Sequence, residues 1–180
     1  MSLRTATAIG LVLSHKKVGE TDSLVTILTE ARGKLVCRAN GIRTLKSTKR
    51  SALQPGNVVS FQFTLTGKLP LLTQAILQED CAQMDSTLPR MRQLSQLLEL
   101  CQRLFVETEL DDPVFTQILH LRSQIVHNRL RTTEVQTTFR SIITQLGYQD
   151  PTDSKYDSIS DYVGALSDRP IKSYAFLSVK

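Results

Sequence analysis

A chain of 180 residues with 41% apolar and 22% charged residues suits one large or two small globular domains, and it excludes a many-domain assembly, a disordered segment or a disulfide scaffold. Its longest apolar runs, such as residues 8–13, fall well short of the about 20 residues of a membrane helix, and the first ten residues lack a signal peptide's apolar stretch, so a cytoplasmic protein is expected. The formal charge of +5 is uneven: residues 1–80 hold eleven Lys/Arg against five Asp/Glu, and residues 81–180 hold eleven against twelve.

The first eighty residues read as strands. Residues 5–13 are rich in β-branched and aliphatic side chains, residues 22–29 repeat that character, and residues 34–40 follow a turn at Ala31, Arg32 and Gly33, which makes a hairpin. A linker over residues 41–55 leads to Val59, Phe61, Phe63 and Leu65, which alternate with Ser60, Gln62 and Thr64 as a half-buried strand does. A turn at residues 67–70 brings in a fifth run, residues 71–77. Five short strands with one long connection fit a small closed barrel, and the OB-fold is the common five-stranded solution. Phe61 and Phe63 share one face in phase with Val59, which predicts a core pair rather than a base-stacking platform.

From residue 86 the period becomes helical. Met91, Leu94, Leu98, Cys101 and Phe105, with Leu97 and Leu104 beside them, make one apolar stripe. Asp112 and Pro113 start a second helix running to about residue 129, with Phe115, Ile118, Leu119, Leu121 and Ile125 inward, because Asp accepts free amide hydrogen bonds and Pro has none to lose. Thr133 and Gln136 form a capping box for a third helix carrying Val135, Phe139, Ile142, Ile143 and Leu146, which Gly147 ends. Residues 158–166 make a fourth, with Ile159, Tyr162, Val163 and Leu166 inward, and the apolar residues 171–179 pack back on the bundle. The fold class is therefore α+β: a five-stranded OB-fold β-barrel over residues 1–80, then an all-α helical domain over residues 81–180.

No catalytic constellation interrupts this pattern. The chain has no Walker loop, nucleophile elbow or His-Glu zinc motif, so it reads as a non-enzyme that needs no cofactor. Cys37, Cys81 and Cys101 contain no CxxC pair and read as buried thiols, while His120 and His127 stand seven apart with His15 alone, which argues against a metal site.

Charge carries the functional signal. Arg32, Lys34, Arg38, Arg43, Lys46, Lys49 and Arg50 place seven cations in nineteen residues with no acidic residue among them. A run like this either solvates a loop or meets a polyanion. Gly41, Thr44, Ser47 and Thr48 in the same stretch add hydroxyl and amide donors suited to phosphate oxygens, which favours nucleic acid. Lys16 and Lys17 join these cations if their loop lies on the same rim.

The ordered motifs carry a resemblance. The segment from Gly19 to Thr29, then Gly33 and Lys34, then residues 41–47, and Leu53, Gln54 and Pro55 resemble the amino-terminal OB domain of RecO, a bacterial recombination mediator. Pro113, Val114 and Phe115, then Phe139 with Leu146, Gly147 and Tyr148, and finally residues 169–173 are similar to the RecO helical domain. The resemblance implies binding of single- and double-stranded DNA, annealing of strands coated by single-stranded DNA-binding protein, and work with RecR to load RecA, in the cytoplasm at the nucleoid. It also implies that the helical domain receives that protein's acidic tail, with Arg122, Arg129 and Arg131 as candidate anchors or, alternatively, exposed helix faces. Many RecO proteins carry a four-cysteine zinc site after the segment matching Leu146, Gly147 and Tyr148, whereas residues 149–162 contain no cysteine; the zinc element is expected to be missing. Two other readings use the same residues: an OB-fold protein-interaction module, and an RNA-binding protein.

Overall fold

The computed structural model describes residues 5–42, 49–65, 69–82, 84, 87–108, 110, 112–129 and 131–167. Five strands, β1 (Thr5–Val18), β2 (Asp22–Thr29), β3 (Gly33–Ala39), β4 (Val58–Thr64) and β5 (Leu71–Glu79), close into a barrel in the order β1-β2-β3-β5-β4. Antiparallel ladders join β1 to β2, β2 to β3, β1 to β4 and β4 to β5. A parallel bridge between Arg38 and Leu71 closes the ring. This is the OB-fold expected from the strand pattern.

Alternation along the ladders sends Val12, Val25, Ile27, Leu35, Cys37, Val59, Phe61 and Phe63 into one core with Leu53 and Leu72. Phe61 and Phe63 are each 1% exposed and stack with ring centroids 5.4 Å apart, so both are core residues, as the alternation with Val59 predicts. Each buried ring contributes about 1.5–3 kcal/mol. Burial also makes the Cys37 thiol inert, pushing its pKa up to about 12, and it raises that of fully buried Cys101.

Several elements differ from the sequence expectation. β1 runs on to Val18 rather than stopping near residue 13, because a register shift between Val12 and Ser14 lets the strand bend and continue along β2. Its added residues, His15 to Val18, are exposed, so no hydrophobic pattern marks them as strand. Leu65 falls outside β4 and is 42% exposed. The linker between β3 and β4 holds a short helical turn, α1 (Lys49–Ala52), whose Ala52 is buried, and Leu53 follows it into the core.

The helices are α2 (Leu88–Leu104), α3 (Asp112–Val126), α4 (Thr132–Gln145) and α5 (Ile159–Leu166), with a 3-10 turn at Pro151–Asp153. α3 opens at Asp112 with Pro113 in its first turn. α4 begins two residues earlier than expected, with Arg131 in place of Thr133 at the N-cap. A guanidinium cannot accept an amide hydrogen bond, so the cap rests on Glu134, whose Oε2 accepts the Arg131 N–H at 2.6 Å. The C-terminus is as expected: Gly147 has φ +84°, and the N–H groups of Gly147 and Tyr148 donate to the carbonyls of Thr144 and Ile143, a Schellman closure. Met91, expected inward, is 44% exposed, and Leu166 is 40% exposed. Residues 171–179 lie outside the described residues.

The chain divides into two compact units, one holding the strands together with residues 105–110 and the other holding α2 to α5. The return of residues 105–110 to the barrel unit was not visible in the sequence. α2 stops at Leu104, so Phe105 leaves the helical stripe in which periodicity placed it. Lys34 N–H donates to the Val106 carbonyl and Leu110 N–H to that of Glu30, both at 2.9 Å. Gly33 makes this approach possible. Its φ is +57°, and a Cβ there would stand 2.2 Å from the Thr108 carbonyl oxygen and 2.4 Å from that of Val106.

Candidate nucleic-acid interface

The strand register decides which cations share a surface. In one cross-strand row Lys16 pairs Leu24, which pairs Arg38. In the next, Lys17 pairs Ser23, which pairs Ala39. Adjacent rows face opposite sides of a sheet. Ser23 is 2% and Ala39 0% exposed, so the Lys17 row lies on the barrel's inner side and the Lys16 row, with half-exposed Arg38, on the outer side.

The five predicted cations among the described residues are not gathered into one strip. Arg32, at the β2–β3 turn, lies over the Phe63 ring with 5.5 Å from its guanidinium carbon to the centroid. It caps the core at the opposite end of β2 from Ser23, which stands six residues, or about 20 Å, before Thr29 at that end. Lys34 belongs to that same end, pairing with Leu28, and burial lowers its ammonium pKa. Arg38 is committed to an ion pair: its Nη2 and Nε donate to Asp22 Oδ2 at 2.7 and 3.2 Å. The Gly41 N–H on Oδ1, then Arg38, hold the Asp22 carboxyl below the usual carboxylate range. Lys34 and Arg38 thus share the outer side of β3 but stand four residues apart, with Arg38 held by Asp22 and Arg32 by the Phe63 ring, so Arg32, Lys34 and Arg38 do not form one compact cluster. Arg43 and Lys46 lie outside the described residues.

What the structure does bring together is Arg50 with two residues of β1. A cavity of about 300 Å³ is lined by His15, Lys17, Ser23, Ile42, Arg50 and Gln54, with Lys49 one residue before Arg50 in α1. His15 Nδ1 lies 3.5 Å from the Leu53 carbonyl, and Gln54 Nε2 donates to the Arg50 carbonyl at 2.7 Å. The sequence reading missed His15, Ser23 and Gln54. The available signal was spacing: His15 and Lys17 alternate on one side of a strand once β1 is known to continue past residue 13.

In the helical unit the suggested anchors separate as well. Arg122 is 0% exposed, which corrects its assignment to a partner surface: a side chain enclosed on α3 is unavailable to a docking peptide. Arg129 and Arg131 are exposed. A second cavity, of about 320 Å³, lies instead between α2, α4 and α5, with Arg92, Leu100, Phe139, Arg140, Asp157 and Val163 among its lining residues. The Nε atoms of Arg92 and Arg140 are buried without a hydrogen-bond partner, which costs about 1–3 kcal/mol for each such group until an acceptor arrives. Among the described residues no cluster of His, Cys, Asp and Glu is placed to hold a metal ion, and no helix is long and apolar enough to cross a membrane.

Comparison with known proteins follows the barrel. Residues 1–79 match the family described as Recombination protein O N terminal. The chain is 40% identical over 72 residues to the DNA repair protein RecO of Streptomyces griseus, covering 37% of this chain and 29% of that protein. It is 38% identical over 104 residues to the RecO of Heliobacterium modesticaldum, covering 57% and 37%. With the RecO of Syntrophomonas wolfei the identity is 25% over 138 residues, covering 77% and 55%. The chain thus spans between about a third and just over half of the length of these relatives.

Proposed function

The chain belongs to the RecO family, through its amino-terminal domain, and from that premise we propose that it acts in DNA repair and recombination as a non-enzymatic mediator that binds single- and double-stranded DNA. The barrel grips phosphates electrostatically and brings complementary strands together. One observation carries the reading: Lys17 and Arg50 come together at one end of the barrel, with Lys49 next to Arg50 in α1, while the aromatic pair Phe61 and Phe63 is sealed in the core. Charge without stacking supports binding that ignores sequence. Annealing needs nothing more, since a surface that neutralises phosphates on two strands lowers their repulsion without a nucleotide cofactor. Arg38 can join by exchanging Asp22 for a phosphate, because an exposed ion pair is worth only about 0–1 kcal/mol.

We assign the partner role to the helical cavity. Two arginines with unsatisfied Nε donors beside Leu100, Phe139 and Val163 suit an acidic peptide, such as the acidic tail of single-stranded DNA-binding protein that the RecO resemblance implies. Asp157 in the same lining opposes one carboxylate and restricts the register in which such a tail sits. Work with RecR, loading of RecA and a cytoplasmic, nucleoid-associated setting belong to the same proposal.

Strand annealing by the purified chain, with and without single-stranded DNA-binding protein on the strands, tests the function. If four phosphates are neutralised, the logarithm of affinity for a single strand falls against the logarithm of salt with a slope of about −3. Changing Arg43, Lys46, Lys49 and Arg50 together to Ala should flatten that slope; unchanged affinity and slope refute the assignment. Tighter binding of a matched RNA strand would favour the RNA-binding reading.

A further inference from the structure

We infer that the cavity at the β1–β2 end of the barrel is a built seat for a single phosphate group, separate from the diffuse basic surface around it. The inference rests on the proposal that the barrel binds nucleic acid, and it adds to that proposal one particular site.

The barrel's inner side is apolar through the rows that hold Val12 with Ile27 and Val25 with Cys37. One row further, the same side turns polar. Ser23 replaces an aliphatic residue at 2% exposure, paired across the ladder with Lys17, and His15 stands opposite Val25. α1 brings Arg50, and the turn after it Gln54, to the same cavity from the chain between β3 and β4. Two cations, an imidazole, a hydroxyl and an amide thus converge on a space of about 300 Å³, and among the described residues that line it there is no carboxylate.

That composition selects an anion. Lys17 and Arg50 face a cavity whose described lining holds no counter-charge, so an anion relieves their repulsion while a cation or a neutral ligand does not. Ammonium and guanidinium groups give charge-assisted hydrogen bonds to phosphate oxygens, which are shorter and stronger than neutral ones. His15 stands at the wall of the same cavity, its Nδ1 3.5 Å from the Leu53 carbonyl oxygen. A volume of about 300 Å³ sits at the small end of ligand sites, enough for one phosphate with part of its sugar and too small for a paired segment. The phosphate is either an internal link of a strand or the monoester at its end.

Titration of the full chain with inorganic phosphate, followed by NMR of the His15 ring, the Gln54 amide and the Ser23 backbone, tests the site. The expected result is saturable shifts at all three, weakened about tenfold by Arg50→Gln or Lys17→Gln, the loss of one charged hydrogen bond. Lys155→Gln in the helical unit removes the same charge and should leave the titration unchanged. Oligonucleotides carrying a 5′-phosphate, a 3′-phosphate or neither identify the source: equal shifts assign an internal link, and shifts from one end alone assign that terminus. Phosphate shifts that are absent, or that survive both Lys17→Gln and Arg50→Gln, overturn the seat. An oligonucleotide that binds without moving His15, Ser23 or Gln54 also overturns it while leaving the barrel's nucleic-acid binding intact; no oligonucleotide binding at all defeats the broader reading instead.

Discussion

The barrel unit and the helical unit solve the same problem with different bonds. In the barrel, backbone ladders fix the register, and register alone sends Phe61 and Phe63 inward and separates Lys16 from Lys17. The helices have no ladder to one another, so side chains finish each element: Arg90 Nη1 donates to the Ile125 carbonyl at the end of α3, Glu134 closes the start of α4, and Ser158 Oγ accepts the Asp161 N–H at the start of α5. A ladder fixes which row each side chain joins, and here it sets Lys17 in the row of Ser23 and Ala39 and Lys16 in that of Arg38. A helix bundle spends polar side chains on its own ends, and the donors left over, on Arg92 and Arg140, sit in a cavity. The proposed phosphate binding on the barrel and peptide binding between helices follow this contrast.

The largest expected effect sharpens this contrast. Phe61→Ala and Phe139→Ala remove rings that are 1% and 4% exposed, and each should cost about 3–5 kcal/mol. Hydrogen exchange should quicken across the β-ladders in the first variant and across α2, α4 and α5 in the second. Loss of protection in both units from either change would break the division. Next comes Gly33→Ala, which demands a Cβ about 2.2 Å from the Thr108 oxygen at φ +57°. It should lower the urea midpoint by the equivalent of about 3 kcal/mol. Gly19→Ala has a similar φ of +60° with nothing within 4 Å, so it should cost only the left-handed backbone term of about 1 kcal/mol. Equal losses would show that residues 105–110 do not hold β3.

The smallest effect is titration. Asp22 in the barrel and Asp150 in the helical unit both have carboxyls more acidic than usual, chiefly through a backbone N–H, from Gly41 and Thr152 respectively. The folded state therefore holds the ionised form more readily than the unfolded chain does. The stability these groups contribute is complete above the unfolded pKa of about 3.9 and is lost as pH falls through the lower, folded value. Asp22→Asn should flatten the acid limb of thermal stability for the barrel, and Asp150→Asn that for the helices. An acid limb unchanged by both would remove these carboxylates from the account.

Much of this was readable before any fold was built. Periodicity of two and of 3.6 depends on neighbours along the chain, so β2, β4 and the span of α4 could be located from residues alone, and Gly147 could be named as a terminator from its need for positive φ. Residues 15–18 could not, since a polar strand is held by its partner rather than by its own pattern. Arg131 at the start of α4 was invisible for a similar reason, because the bond that caps it comes from Glu134.

The sequence by itself determined that a basic β-rich half precedes a neutral helical half, because composition and hydrophobic period are local properties. Only the tertiary structure decided which cations act together. It set Arg38 against Asp22, Arg32 over Phe63, and Lys17 with Arg50 around one cavity. Ladder register and the return of a distant loop settle those neighbours, and neither is written in the spacing of charges along a chain.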